Sequence, residues 1–133
     1  MVSRLAMAYF GGAVAALVTS LLLWAVAQAG LLELIGVGLA PSLRWSWLAP
    51  RLLWGSLFAL AYPLVRRRGF TPVRSGLILS VLPSVVELFI VLPNGPHGLL
   101  GLSLGHLTPL VVLATNAVWG WGLARIMIAK GHS

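Results

Sequence analysis

Residues 5–32, LAMAYFGGAVAALVTSLLLWAVAQAGLL, hold no charged side chain across 28 positions. As a helix rising 1.5 Å per residue this run reaches roughly 42 Å, more than the roughly 30 Å of a bilayer's hydrocarbon core. Lipid offers no hydrogen bonds to backbone N–H and C=O groups, so a spanning segment is either a helix or a strand of a closed barrel. Barrel strands are segments of about ten residues with alternating polarity. The run has no such alternation and reads as a transmembrane helix.

The rest of the chain has the same character. Of its 133 residues 59% are hydrophobic and 8% charged, and its mean hydropathy is +1.00, outside the range of water-soluble globular domains. The sequence predicts an all-α membrane protein, a single membrane domain over 1–133. Its four transmembrane helices, at about 5–29, 48–65, 72–92 and 108–128, form an antiparallel bundle. The loop after the first helix holds Glu33, Pro41, Arg44 and Pro50, and Arg51 is expected to snorkel to the interface. Thr71-Pro72 and Thr108-Pro109 each place a hydroxyl cap before a proline at the first helical position. Pro83 should kink the third helix, which ends at Pro93. Residues 94–107, NGPHGLLGLSLGHL, are too glycine-rich for a good helix and too apolar for an ordinary loop. They read as an interfacial or re-entrant outer segment.

Nine Lys and Arg against two acidic residues give a net charge of +7. In a soluble chain that balance would suggest nucleic acid. Here the cations sit at the ends and in one turn, so nucleic acid is not expected and topology is. Arg4, Arg66, Arg67, Arg68, Arg74, Arg125 and Lys130 fall on one side of the four-helix layout, Arg44 and Arg51 on the other. The positive-inside bias puts both termini in the cytoplasm and sets Arg66, Arg67, Arg68 and Arg74 against lipid headgroups. Trp45 and Trp47 then belong to the outer aromatic belt, Trp119 and Trp121 to the inner one. A signal peptide cleaved after Ala27-Gln28-Ala29 is the competing reading of the N-terminus. The apolar run is far longer than the roughly 7 to 15 residues of a signal peptide's core, so retention is expected.

Ala8, Gly12, Ala16 and Ser20 recur at four-residue spacing, a strip of small side chains that lets another backbone come close. Gly55 with Ala59 and Gly120 with Ala124 are shorter versions. The plainer use of such strips is packing within the bundle, the alternative a dimer or partner interface. Glu87 is the acidic residue well inside a span, where a carboxylate must be paired, protonated or wet. Arg51, His97 and His106 lie toward the same outer side, and the expectation is a polar cluster of Glu87, Arg51, His97, His106 and Asn116 in which Glu87 pairs with Arg51 or His106. Fixing helix register is the plainer role of such a pair and a proton or ion path the sharper one. His97, His106 and Glu87 could be written as a metal set, but their spacing enforces no convergence, so no metal is expected. No haem-ligating pair, phosphate loop, nucleophile elbow or zinc-protease motif is present, and no cysteine occurs, so neither a cofactor nor catalysis is expected.

Several strings resemble a known family: WLAPRLLWGSLFALAYP from Trp47, the prolines of the third helix, and LPNGPHGLLGLSLGHLTPLVVLATNAVWGWGLA up to Ala124. With Trp54-Gly55, Tyr62-Pro63, the segment from Pro93 to Gly105, and Trp119-Gly120, they are similar to uncharacterised bacterial four-helix inner-membrane proteins akin to YagU. That pattern often carries histidine where this chain has Asn116. The resemblance implies a multi-pass protein of the bacterial inner membrane and no particular activity. The function expected is that of a non-catalytic accessory subunit, packing against a larger membrane complex or a second copy and against the lipid bilayer. The alternatives are a small channel or proton-linked transporter using Glu87, and a lipid-acting membrane enzyme.

Overall fold

The computed structural model describes residues 2–38, 41, 43–91, 102 and 105–132. They form helices α1 (Val2–Gln28), α2 (Leu31–Leu34), α3 (Trp45–Ala59), α4 (Tyr62–Arg66), α5 (Pro72–Leu79), α6 (Val81–Val86), a π-helical segment (Glu87–Val91) and α7 (Thr108–Ala129). No strand occurs among the described residues. Four helical stretches are long and apolar enough to cross a membrane: Arg4–Gln28, Trp45–Arg66, Pro72–Val91 and Thr108–Ala129. They are called spans one to four below. The chain is thus an all-α, four-helix protein. Phe10, Val18, Leu64, Phe89 and Leu110 are among many large apolar side chains on its outside, the surface that a hydrocarbon solvent requires.

Proline sets the breaks in spans two and three. Pro63 cannot donate to the Ala59 carbonyl, and the helix tightens at Leu60 and Ala61, whose N–H groups bond to Leu57 and Phe58 at 3.2 and 3.1 Å before α4 resumes. Pro83 likewise releases the Leu79 carbonyl, and the helix is interrupted at Ser80 between α5 and α6, as a proline inside a helix dictates. Span two begins at Trp45, a turn earlier than hydropathy suggests. Pro50 therefore lies inside a helix and not in a loop, and Glu33 sits in the single turn of α2.

Packing is sequential around one side of the bundle. Span one lies between spans two and four, and span four packs against span three. Contacts run in opposite senses along each pair, Gly12 meeting Gly55 and Ala59, Gly76 meeting Gly120, so neighbours are antiparallel. Three small-residue approaches hold the end that carries Arg66 to Gly69, here the arginine end. A Cβ on Gly12 would strike the Gly55 carbonyl and the Ala59 methyl, and one on Gly55 would lie 2.7 Å from the Ala16 Cβ. A Cβ on Gly76 would strike the Gly120 carbonyl, and the reverse holds for Gly120. The strips of Ala8, Gly12, Ala16 with Gly55, Ala59, and of Gly120 with Ala124, are thus used inside the bundle. Around them Tyr62, Leu123, Met127 and Trp119 complete the buried core.

Two expectations are corrected here. Trp119 is not an interfacial tryptophan: it is 4% exposed, and its indole N–H donates to the Gly12 carbonyl at 3.1 Å. Thr71 caps α5 by accepting the Arg74 N–H at 3.4 Å, but Thr108 caps nothing. Thr108 is the first residue of α7, fully buried, with a hydroxyl that has no partner among the described residues.

Candidate functional site

Each packed pair of spans is tied by a cross-helix hydrogen bond from a side chain. Arg51 Nε donates to Ser20 Oγ at 2.7 Å, joining spans two and one. Trp119 joins spans four and one, and Asn116 Nδ2 donates to Ser84 Oγ at 3.1 Å, joining spans four and three. Spans two and three, by contrast, are tied at the arginine end, where the Tyr62 hydroxyl reaches the Pro72 carbonyl at 3.5 Å and Arg66 bonds the Phe70 carbonyl. Toward the opposite, far end they part.

The gap is a cleft of about 460 Å³, within the range of small-molecule sites. Its walls are span two, with Arg51, Trp54 and Phe58, and span three, with Val86, Glu87 and Ile90; Ala16, Thr19, Asn116 and Trp119 of spans one and four form its floor. The Trp54 and Phe58 rings lie 5.8 Å apart and make an aromatic strip on one wall. A second hollow of about 240 Å³ between α1 and α7 is lined by aliphatic residues and threonines, without a charged group. The cleft between spans two and three is therefore the candidate site.

Its polar groups are anchored from behind. Beyond the bond to Ser20, the Arg51 guanidinium carbon sits 5.0 Å from the centre of the Trp47 ring, a cation–π distance. Arg51 thus turns into the bundle and does not snorkel to the interface as its position near the helix start suggests. The Asn116 amide, bonded to Ser84, lines the same cleft as Glu87. Arg51 and Glu87 attract each other through space without closing to a direct ion pair within 4.0 Å. Pro83 and the π turn that starts at Glu87 reshape the ladder on this wall, and such π turns are frequent at functional sites.

Of the residues expected in one polar cluster, the structure brings together Arg51, Glu87 and Asn116. His106 is not among them: it is an exposed turn residue outside the cleft lining, which removes it as the partner of Glu87. His97 and most of the 94–107 segment lie outside the described residues. Among the described residues no three His, Cys, Asp or Glu side chains gather in a metal-holding group. Ser20 and Ser84 were not foreseen as polar anchors. A signal for Ser84 exists in the series Gly76, Ser80, Ser84, small residues four apart that face span four.

The fold and site define an all-helical protein with four helices long and apolar enough to cross a membrane and a cleft lined by an arginine, a glutamate and an asparagine. No family model, curated protein or solved structure matches the chain.

Proposed function

We propose that this chain is a non-catalytic accessory protein of the bacterial inner membrane, with both termini in the cytoplasm, that holds an amphiphile in the cleft between spans two and three. The observation that carries the reading is the cleft itself: an anchored arginine and a glutamate share a cavity with an aromatic strip, at hydrocarbon depth. Arg51, Glu87 and Asn116 lie four to eight residues from the far ends of their spans, roughly 6–12 Å of helix. That is where a submerged headgroup would sit with its chains along the walls. Orientation follows from the seven cations at one end against Arg44 and Arg51 at the other. The choice of bacterial inner membrane rests on the sequence resemblance.

Holding is favoured over conduction by the state of the arginine end. Below Ala16 the Gly12–Gly55 and Gly76–Gly120 approaches bring backbones together around a closed apolar core, so the cleft has a floor and not an exit. The non-catalytic reading is supported by the hydroxyls at the site. Thr19 donates to the Ala15 carbonyl at 2.8 Å, and Ser84 to the Ser80 carbonyl at 2.9 Å, so neither is poised as a nucleophile. With the glycine strips used internally, a partner subunit or second copy has the exposed apolar flanks to pack against.

The test is release of the protein from lipid nanodiscs into native mass spectrometry. The wild type is expected to carry one tightly held lipid. Val86→Trp, which fills the cleft from span three, is expected to lose it by roughly tenfold, the scale of one well-packed side chain's burial. A bare wild-type chain, or equal retention by Val86→Trp, would sink the reading.

A further inference from the structure

We infer that the occupant of the cleft is a zwitterionic lipid headgroup of the phosphoethanolamine type, its phosphate taken by Arg51 and its primary ammonium by Glu87. This rests on the reading above and names the chemistry of the ligand.

Arg51 is fixed at one end and open at the other. Nε is used by Ser20 and one face of the guanidinium lies over Trp47. The η nitrogens have no hydrogen-bond partner among the described residues. Their N–H groups form a planar fork, the geometry that matches two oxygens of a phosphate. Glu87 is arranged in the complementary way. Its neighbour in the cleft lining is Asn116, whose position is set by Ser84 on the same wall. An ionised carboxylate accepts at up to about four sites, so the side facing the cleft still has acceptor capacity.

The separation of the two charges is the decisive feature. In a medium of low dielectric an arginine and a glutamate free to move would close on each other, because isolated charges there are costly. Here Arg51 is tethered to span one through Ser20 and Glu87 is carried by span three on the facing wall, across a wedge that is tied at its narrow end. The tether and the facing wall hold the fork and the carboxylate apart across a cavity that both line. An anion alone would satisfy Arg51 and be repelled by Glu87; a cation alone would do the reverse. A molecule bearing both charges a few bonds apart satisfies both, and Trp54, Phe58, Val86 and Ile90 supply the apolar surface for its chains.

The same geometry predicts discrimination among lipids. A primary ammonium donates hydrogen bonds to a carboxylate, a trimethylated one has no N–H to donate, and a glycerol headgroup brings no cation. A hydrogen bond to a charged group contributes roughly a tenfold preference. Wild-type protein in nanodiscs of equimolar phosphatidylethanolamine, phosphatidylcholine and phosphatidylglycerol is therefore expected to retain the ethanolamine lipid about tenfold over either of the others. Glu87→Gln, which keeps the shape of the side chain, should erase that preference while lipid is still held. Arg51→Gln should lower retention of all three. Equal retention of the three lipids by the wild type overturns this inference and leaves the lipid-holding reading in place; no retained lipid of any kind overturns both. Displacement of the lipid by an equal concentration of water-soluble glycerophosphoethanolamine would assign the site to a soluble molecule and overturn the lipid assignment. The wild-type comparison needs no variant, so a folding defect in a variant cannot mask the result.

Discussion

Between Gly12 and Met127 the spans meet backbone to backbone, whereas between Ser20 and Glu87, toward the far end, they meet through long polar side chains. At the arginine end two helix pairs are brought close by glycine and alanine, and contact is made by dispersion over short distances. At the far end a single hydrogen bond links span one to span two and another links span three to span four, Pro83 and the π segment break the ladder of span three, and a cavity opens. In lipid the hydrophobic effect does not drive helices together, so a span pair closes where small residues permit it and stays apart where they are missing. Rigidity at one end is what allows an open wedge at the other.

The most severe way to break the arginine end is to add a single methyl where no room exists. Gly76→Ala and Gly120→Ala each drive a Cβ into the facing backbone carbonyl, and each is expected to cost about 3 kcal/mol or more, or to prevent folding. Gly122→Ala, on the same helix, meets the Ala15 Cβ at an ordinary 3.5 Å and should be neutral or stabilising by up to about 1 kcal/mol. Unfolding by sodium dodecyl sulfate followed by circular dichroism measures all three. Similar losses at residues 120 and 122 would show that close approach does not hold this end.

The far end should respond far less to loss of a contact. Asn116→Ala and Ser84→Ala each remove one interhelical hydrogen bond of a kind that contributes about 0.6 kcal/mol on average in membrane proteins. A double-mutant cycle between the two is expected to give a coupling of about that size in the same assay. A coupling near zero would mean that Asn116 serves the cleft and not the helix pair; one above about 2 kcal/mol would erase the contrast between the two ends.

Legibility in the sequence divides along the same line. Hydropathy locates all four spans to within a turn because lipid imposes one requirement on every exposed position. The strip of Ala8, Gly12 and Ala16 and the pair Gly55 and Ala59 are also legible, but not which strip meets which. Gly76 was passed over although Ser80 and Ser84 follow it at four-residue spacing, since a serine mid-span reads as readily as a backbone-bonded hydroxyl as a packing residue. The site was legible in its chemistry and not in its geometry. An arginine, a glutamate and an asparagine at similar depth suggest a cluster, but the inward turn of Arg51 depends on Ser20 being within 2.7 Å, a tertiary fact. His106 differs for the complementary reason: it lies toward the same outer side as Glu87, and nothing in a linear pattern shows that it is an exposed turn residue outside the cleft lining. Trp119 reads as interfacial from its place toward the inner end of the fourth helix, yet the Gly12 carbonyl gives its N–H a buried partner.

The smallest expected effect separates two dipeptides that look identical in sequence. Thr71-Pro72 opens span three at the arginine end, and the Thr71 hydroxyl accepts the Arg74 N–H at 3.4 Å, a long and exposed bond. Thr71→Val should therefore cost about 0.5 kcal/mol, the low end of the range for a lost cap. Thr108-Pro109 opens span four at the far end, and there the hydroxyl is buried with no partner among the described residues, so none of them gives it a hydrogen bond in return for its lost solvent. Thr108→Val keeps the branched shape and deletes the unpaired group, and it should be neutral or stabilising by up to about 1 kcal/mol in the same unfolding measurement. A loss of about 1 kcal/mol at Thr108 would mean that the hydroxyl has a partner in the folded protein, and would move a second polar anchor to the end of the bundle described here as open.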